Sequence, residues 1–274
     1  MGTLNNKVAV ITGASAGIGR AAAASLASRG ACLVIGARRV DMLQSVREEI
    51  TKQGGQCVAV QCDVGRYADV QQLFAAAIEA FGRVDIAIAN AGFGLFSRVH
   101  ETSDQQMNEI WQVNVLGTWY VMKCAAGIML PRKSGHIIAV SSAIARRALP
   151  QMGPYAMTKA AQLSLVEAQR LELRPFGIYV SSVHPTSTAT EFFEQAGKRS
   201  GRKMGGFGTM QSAAFVGEKI AGLVERPRPE LWPHRPTRFG VTIAAALPSI
   251  ADRLLARFLD RQSVKMRRSR RAEP

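Results

Sequence analysis

Short β-branched runs alternate with Ala-rich amphipathic stretches along most of the chain, and this alternation restricts the fold more than any other feature. Val8–Ile11 is followed by a helical pattern from about Gly17 to Ser28, Cys32–Ile35 by one over Val40–Gln53, and Cys57–Gln61 by one over Ala68–Phe81. The run Ile86–Ala89 precedes a long helical stretch from Asp104 to Leu130, His136–Val140 precedes a helix over Tyr155–Leu173, and Ile178–Val183 closes the series. Strands separated by helices pair in parallel, and the crossover helices cover the sheet faces. Six or seven such strands predict an α/β architecture, one doubly wound parallel sheet with helices on both faces. With no internal repeat and no linker rich in Pro, Gly and Ser, the expected organisation is one domain over 1–238 and a helical extension over 239–274.

Two segments break the pattern. Residues 195–212 are Gly-rich and basic, which suits a mobile loop better than an element. Residues 226–238 carry four prolines, and neither a helix nor a central strand is expected there.

Charge is the compositional oddity: 35 Lys and Arg against 20 Asp and Glu give a net +15. Such a balance invites a polyanionic partner. Its location argues otherwise for the first half, because residues 1–145 hold 13 basic and 10 acidic side chains whereas 226–274 hold 12 and 4. No aromatic-interleaved basic stripe appears, so no nucleic-acid partner is expected. The four cysteines form no CxxC pair and have no histidine at ligand spacing, so neither a metal site nor a disulfide framework is expected. The N-terminal strand runs directly into a Gly-rich turn without the pattern of a signal peptide, which points to the cytoplasm. The apolar stretch Phe239–Leu259 is interrupted by Pro248, Asp252, Arg253 and Arg257, so no spanning helix is expected. From a cap at Ser249, Ala251, Leu254, Leu255, Phe258 and Leu259 share one helix face and Arg253, Arg257, Asp260 and Arg261 the other. Three occupants suit that apolar face: the chain's own domain, another subunit, or an anionic membrane surface contacted peripherally.

After the first strand comes Thr12-Gly-Ala-Ser-Ala-Gly-Ile-Gly19. A tight strand-to-helix turn needs glycine, and a pyrophosphate approaches backbone closely only where no Cβ intervenes. The helix N-terminus then directs its free N–H groups at the phosphates. The spacing is Gly-x-x-x-Gly-x-Gly, and here the chain resembles the short-chain dehydrogenase/reductase family. Asn90-Ala91-Gly92 after the fourth strand and Cys62-Asp63-Val64 after the third match that family's further motifs. The resemblance covers about residues 5–190 and implies a Rossmann-like fold with a dinucleotide held by Gly13, Ser15, Gly17, Ile18, Gly19, Asp63, Val64, Asn90, Ala91 and Gly92. At the end of the second strand a carboxylate would hold NAD and repel the 2′-phosphate of NADP. This chain has Ala37 followed by Arg38 and Arg39, which favours NADP(H) over NAD(H), a solvated turn being the other reading of the arginines.

Tyr155-Ala-Met-Thr-Lys159 places a phenol and an ammonium on one helix face. A neighbouring cation favours phenolate and lowers its pKa from ~10. The family's catalytic Ser, Tyr and Lys match Ser142, Tyr155 and Lys159, with Ser141 the adjacent alternative. The implied roles are general acid/base for Tyr155, hydrogen-bond donation to the substrate oxygen for Ser142, and ribose binding with pKa lowering for Lys159. Asn114 matches the family's helix Asn that holds a relay water. Thr190 matches its nicotinamide-contacting Thr after Pro185, although Thr186 stands where the family usually has Gly. Phe93, Phe96, Leu149, Met152, Phe192, Phe193 and the 195–212 segment are candidates for the substrate cleft or for ordinary core. Together these imply an oxidoreductase acting on a small hydrophobic alcohol, ketone or aldehyde. A 3-oxoacyl-carrier-protein reductase and a catalytically idle nucleotide sensor remain alternatives. By resemblance, a homodimer or homotetramer is expected through helices 104–130 and 155–173.

Overall fold

The computed structural model describes residues 2–201 and 210–256. Strands β1 (Val8–Thr12), β2 (Cys32–Ala37), β3 (Cys57–Gln61), β4 (Ile86–Ala89), β5 (Gly135–Val140), β6 (Ile178–Val183) and the two-residue β9 (Glu230–Leu231) form one parallel sheet, ordered β3-β2-β1-β4-β5-β6-β9. A second pairing joins β7 (Thr188–Ala189) to β8 (Gln211–Ser212). Every residue of β1 and β4 is buried, because helices cover both faces of the sheet. Alternate strand residues serve opposite layers. Ile11, Leu33 and Ile35 pack with Leu26 of α1 (Gly17–Ala27), Leu43 of α2 (Val40–Lys52) and Ile220 of α8 (Ala213–Glu225). On the other face Val10, Val34 and Ala87 meet Leu73 of α3 (Tyr67–Phe81), Met122 of α5 (Gly117–Met129) and Val166 of α6 (Gly153–Leu173).

The doubly wound sheet of seven strands agrees with the sequence, and its strand order reverses direction at β1 and β4. A crevice opens beyond the carboxyl ends of strands at such a reversal. The backbone differs from expectation in four places. The stretch 104–130 is α4 (Asp104–Trp111), with a Ser103–Gln106 capping box, then a single π-helical segment Gln112–Leu116, then α5. Of the segment 195–212 expected as a mobile loop, the first residues belong to α7 (Phe192–Ser200), tied down by the Phe96 amide donating to Ser200 Oγ at 2.8 Å, the last two form β8, and 202–209 lie outside the described residues. The Pro-rich stretch supplies the edge strand β9, where prolines are tolerated, and the start of α9 (Arg235–Ala246). Pro236 sits in the first turn of α9, where its missing N–H leaves no bond unmade. Helix α8 was not among the expected elements.

The division expected between 238 and 239 falls inside α9. Helix α10 (Pro248–Ala256) follows at a bend of 111°. It begins at Pro248, so Ser249 lies inside it rather than capping it. Arg257, Phe258, Leu259, Asp260 and Arg261 lie outside the described residues. No single described helix is long and apolar enough to cross a membrane.

Candidate active site

The crevice is a cavity of about 890 Å³, and most of the expected site residues line it. At one end is the turn between β1 and α1. Gly13 has φ +67°, and a Cβ there would stand 2.7 Å from Ala91 Cα. Two close-packed turns therefore meet without a side chain between them. Asn90 secures the junction, its Nδ2 donating to the carbonyls of Thr12 (3.0 Å) and Gly13 (3.1 Å). Ala16 precedes helix α1 at the N-cap position without a side-chain cap, and the first turn holds no acidic residue. Its leading N–H groups are left for a ligand, and a phosphate fits both their direction and their partial charge. Gly13, Ser15, Gly17, Ile18, Arg38, Asn90, Ala91, Gly92, Pro185 and Thr190 all line this part of the cavity.

Three expected cofactor residues stand back from it. Gly19 is required by packing, since a Cβ there would lie 2.4 Å from both Asn90 Nδ2 and the Gly13 carbonyl. The Asp63 carboxylate accepts from the Gly65 amide at 3.0 Å, which makes it a turn-forming group. Val64 is buried against Gly117. Of the two arginines after Ala37, Arg39 pairs with Glu191 across the cavity at 2.6 Å, whereas Arg38 has no ion pair among the described residues.

Ser142, Tyr155 and Lys159 converge on the cavity wall. The two serines separate cleanly. Ser141 donates to the Lys159 carbonyl at 3.0 Å, while the Ser142 hydroxyl reaches the Tyr155 phenol. Tyr155 and Lys159 are both buried, with the Lys159 Nζ 5.7 Å from the phenol ring centroid. Burial pushes the Tyr155 phenol above its ordinary pKa, and the Ser142 contact only partly offsets it. The lowering expected from Lys159 is therefore not present in this arrangement. Burial also brings Lys159 itself down to about 7.

The ammonium is held by protein groups, donating to the Val140 carbonyl at 3.0 Å and to Gln162 Oε1 at 2.9 Å. Gln162 was missed in the sequence. Fully buried, it donates from Nε2 to the Asn114 carbonyl and to Thr118 Oγ1, both at 2.6 Å. Its amide thus bridges the lysine to the π-helical segment. Asn114 lies in that segment, away from the cavity wall, and its side chain is fully engaged. Oδ1 accepts from the Phe93 amide, and Nδ2 donates to the Phe93 carbonyl and to Thr158 Oγ1, each at 3.0 Å. The signal for Gln162 was a polar residue three positions after Lys159 on one helix face.

A second missed group is His184, whose ring stacks on Trp232 at 4.3 Å and lies 3.2 Å from the Ser142 carbonyl. It ties the serine loop to β9. On the substrate side Phe93, Leu149, Met152, Phe192 and Phe193 line the cavity, together with Gln195 and Arg199 of α7. Phe96 does not: it is wholly buried behind them, stacked on Phe193 at 6.2 Å. Thr190 Oγ1 accepts from the Phe192 amide at 3.2 Å, and Thr186 is anchored to Gln211 Oε1 at 3.1 Å. The largest surprise is the far wall. Thr237, Val241 and Ala244 of α9 and Ala251, Leu254 and Leu255 of α10 complete the cavity.

Comparison with known proteins agrees with this geometry. Residues 7–201 match the short chain dehydrogenase family. A glycine betaine reductase of Emericella nidulans is 38% identical over 190 residues, which is 69% of this chain and 15% of that longer protein. An alcohol dehydrogenase from Thermococcus sibiricus, complexed with 5-hydroxy-NADP, superposes with a TM-score of 0.74 at 31% identity, covering 82% of this chain and 95% of that one. A short chain dehydrogenase/reductase from Burkholderia phymatum in complex with NAD gives a TM-score of 0.82 at 27% identity, covering 92% and 97%. The chain belongs to the short-chain dehydrogenase/reductase family and is a nucleotide-binding oxidoreductase acting on CH–OH and C=O groups.

Proposed function

We propose that the protein is an NADP(H)-dependent oxidoreductase acting on a hydrophobic secondary alcohol, ketone or aldehyde. The observation that carries this reading is the convergence of Ser142, Tyr155 and Lys159 where the cavity passes from the glycine turn to an apolar arm. When bound, the dinucleotide supplies or accepts the hydride. The chain's own residues hold it and move the proton. Gly13, Ser15, Gly17 and Ile18 at the α1 N-terminus would hold the pyrophosphate, and Asn90-Ala91-Gly92, Pro185 and Thr190, which line the same cavity, would hold the rest of the dinucleotide. Tyr155 gives its phenolic proton to a carbonyl oxygen, or takes one from an alcohol, and Ser142 donates a hydrogen bond to the same oxygen. The Lys159 ammonium, which lines the cavity, would hold a ribose hydroxyl with its remaining N–H. Asn114 keeps the Phe93 backbone in place at the cavity wall.

The preference for NADP rests on charge. Ala37 leaves the end of β2 without a carboxylate, and Arg38 lines the cavity free of any ion pair among the described residues. A guanidinium there attracts a 2′-phosphate. We further propose a cytoplasmic homo-oligomer joined through α4–α5 and α6, which expose Trp111, Trp119, Met157 and Leu171.

Following the absorbance of reduced cofactor over a panel of apolar ketones tests the chemistry. Tyr155→Phe is expected to lower turnover by about 100-fold or more while cofactor still binds. Full turnover in that variant, or tight cofactor binding with no turnover of any substrate, would defeat the reading in favour of another proton donor or an idle sensor. In the same assay Arg38→Ala should weaken NADP binding about tenfold and leave NAD binding alone. Equal effects on both would remove the charge argument.

A further inference from the structure

The C-terminal helices are two-sided in an unusual way. Val241, Ala244, Ala251 and Leu255 close the cavity, while Phe239 (69% exposed), Ile243 (60%), Leu247, Ile250 and Leu254 (60%) face outward. Helix α9 has no buried residue. Leu254 belongs to both sides, lining the cavity and standing in solvent, so the apolar outer face is continuous with the cavity mouth. Charge around this face is one-signed. Arg235 and Arg253 are exposed beside it, as is Arg238, whose pairing with Glu230 is a loose 3.9 Å. Asp252 is the only acid of α9 and α10, and it is engaged with Arg147. The sequence that follows, 257–274, adds seven basic and two acidic residues.

We propose that the outer face of α9 and α10 docks on an anionic lipid surface, so that the cavity receives lipid-soluble substrate directly from the bilayer. An apolar face fringed by cations matches the acyl and headgroup layers of such a surface in turn. A second copy of the chain fits less well, because a two-fold contact would bring the same cations together. A nucleic acid would leave the large apolar side chains unused. The two helices are bent by 111° at their junction, and neither alone is long and apolar enough to cross a membrane. The lipid contact stands without the oxidoreductase reading, and the delivery of substrate rests on it.

The test is sedimentation of the full-length protein with vesicles of phosphatidylcholine alone or with about one third phosphatidylglycerol. Binding to the anionic vesicles is expected, and Ile243→Glu/Ile250→Glu, on outward-facing residues that do not line the cavity, should weaken it about tenfold. Arg235→Gln/Arg253→Gln and added salt should each weaken it about threefold. Ile78→Glu, on an exposed apolar residue of α3, should bind as the wild type does, and NADPH fluorescence shows that each variant is folded. Absence of wild-type binding, or wild-type binding by the glutamate pair, overturns the proposal. So does a glutamate pair that dissociates an oligomer in solution, which would make the partner a second copy. If an apolar ketone is turned over, the glutamate pair should raise its KM only when it is presented in vesicles. An equal rise in KM for a water-soluble ketone would overturn the delivery route. No turnover of any ketone by the wild type would instead count against the oxidoreductase reading.

Discussion

At the scale of single residues, the site depends on how a buried ammonium is kept. Lys159 has two protein acceptors and no carboxylate partner among the described residues, and burial brings its pKa down to about 7. Removing one acceptor disfavours the charged form further. Gln162→Leu should therefore move the alkaline limb of kcat to lower pH and reduce kcat about tenfold with little change in KM. Gln162→Glu, which restores an acceptor, should recover much of the loss. A pH–rate profile unchanged in the leucine variant would make Gln162 a packing residue only. Its importance was not legible in the sequence, because a glutamine inside an Ala-rich helix is ordinary until its neighbours are known. Tyr155 and Lys159 were legible, since their spacing is itself local.

At the scale of elements, the first turn and helix α1 are set by two close approaches. One is the glycine turn against Asn90-Ala91. The other is α8, whose Gly217 lies so near α1 that a Cβ would stand 2.5 Å from the Ala21 carbonyl carbon. Backbone atoms cannot move aside as a flexible side chain can. Gly217→Val is expected to lower stability by about 2 kcal/mol, read as a denaturation midpoint, and to weaken cofactor binding more than Ile78→Glu does. A midpoint equal to wild type would mean that α8 can slide. Helix α8 escaped the sequence reading because it lies between a Gly-rich and a Pro-rich segment. Its apolar positions Val216, Ile220 and Leu223 nevertheless keep helical spacing. The same context concealed α7: glycines argue for a loop, but Ala196 and the Phe192–Phe193 pair pack into the cluster around Tyr155.

For the whole molecule, pH acts on stability through two histidines, His136 on β5 and His184 just past the end of β6. Burial brings both His136 and His184 down to about 4. Unfolded, each binds its proton near pH 6.5, so between there and pH 4 the unfolded state carries protons that the folded state refuses. Stability therefore falls as pH drops through that window and levels off below it on their account, by up to about 3 kcal/mol for each ring. Thermal melts at stepped pH should show the decline beginning near 6.5, and His136→Asn should make it shallower. Parallel curves for variant and wild type would assign the decline to other groups. Asp85 acts at lower pH: burial by itself would raise its carboxyl, but Arg83 (2.6 Å), the Val8 amide (3.0 Å) and Arg132 (3.2 Å) together outweigh that and keep it ionised below the usual carboxylate range.

What the sequence determined by itself was whatever depends on neighbours along the chain. The alternation of strand and helix specified a parallel sheet, because a parallel pair requires a crossover. The motifs at Gly13–Gly19, Asn90–Gly92, Ser142 and Tyr155–Lys159 then fell at the carboxyl ends of strands or the starts of helices. Tertiary structure decided which of several plausible faces meet. Phe93 lines the cavity and Phe96 is core, although both are aromatic and three residues apart. Asn114 is consumed by Phe93 and Thr158, and Gln162 joins it to Lys159. The extension read as lying outside the catalytic motifs folds back as the wall of their cavity. Helical periodicity states that a face is apolar. It carries no information about what that face covers, which is fixed by chain closure over distances the local pattern does not encode.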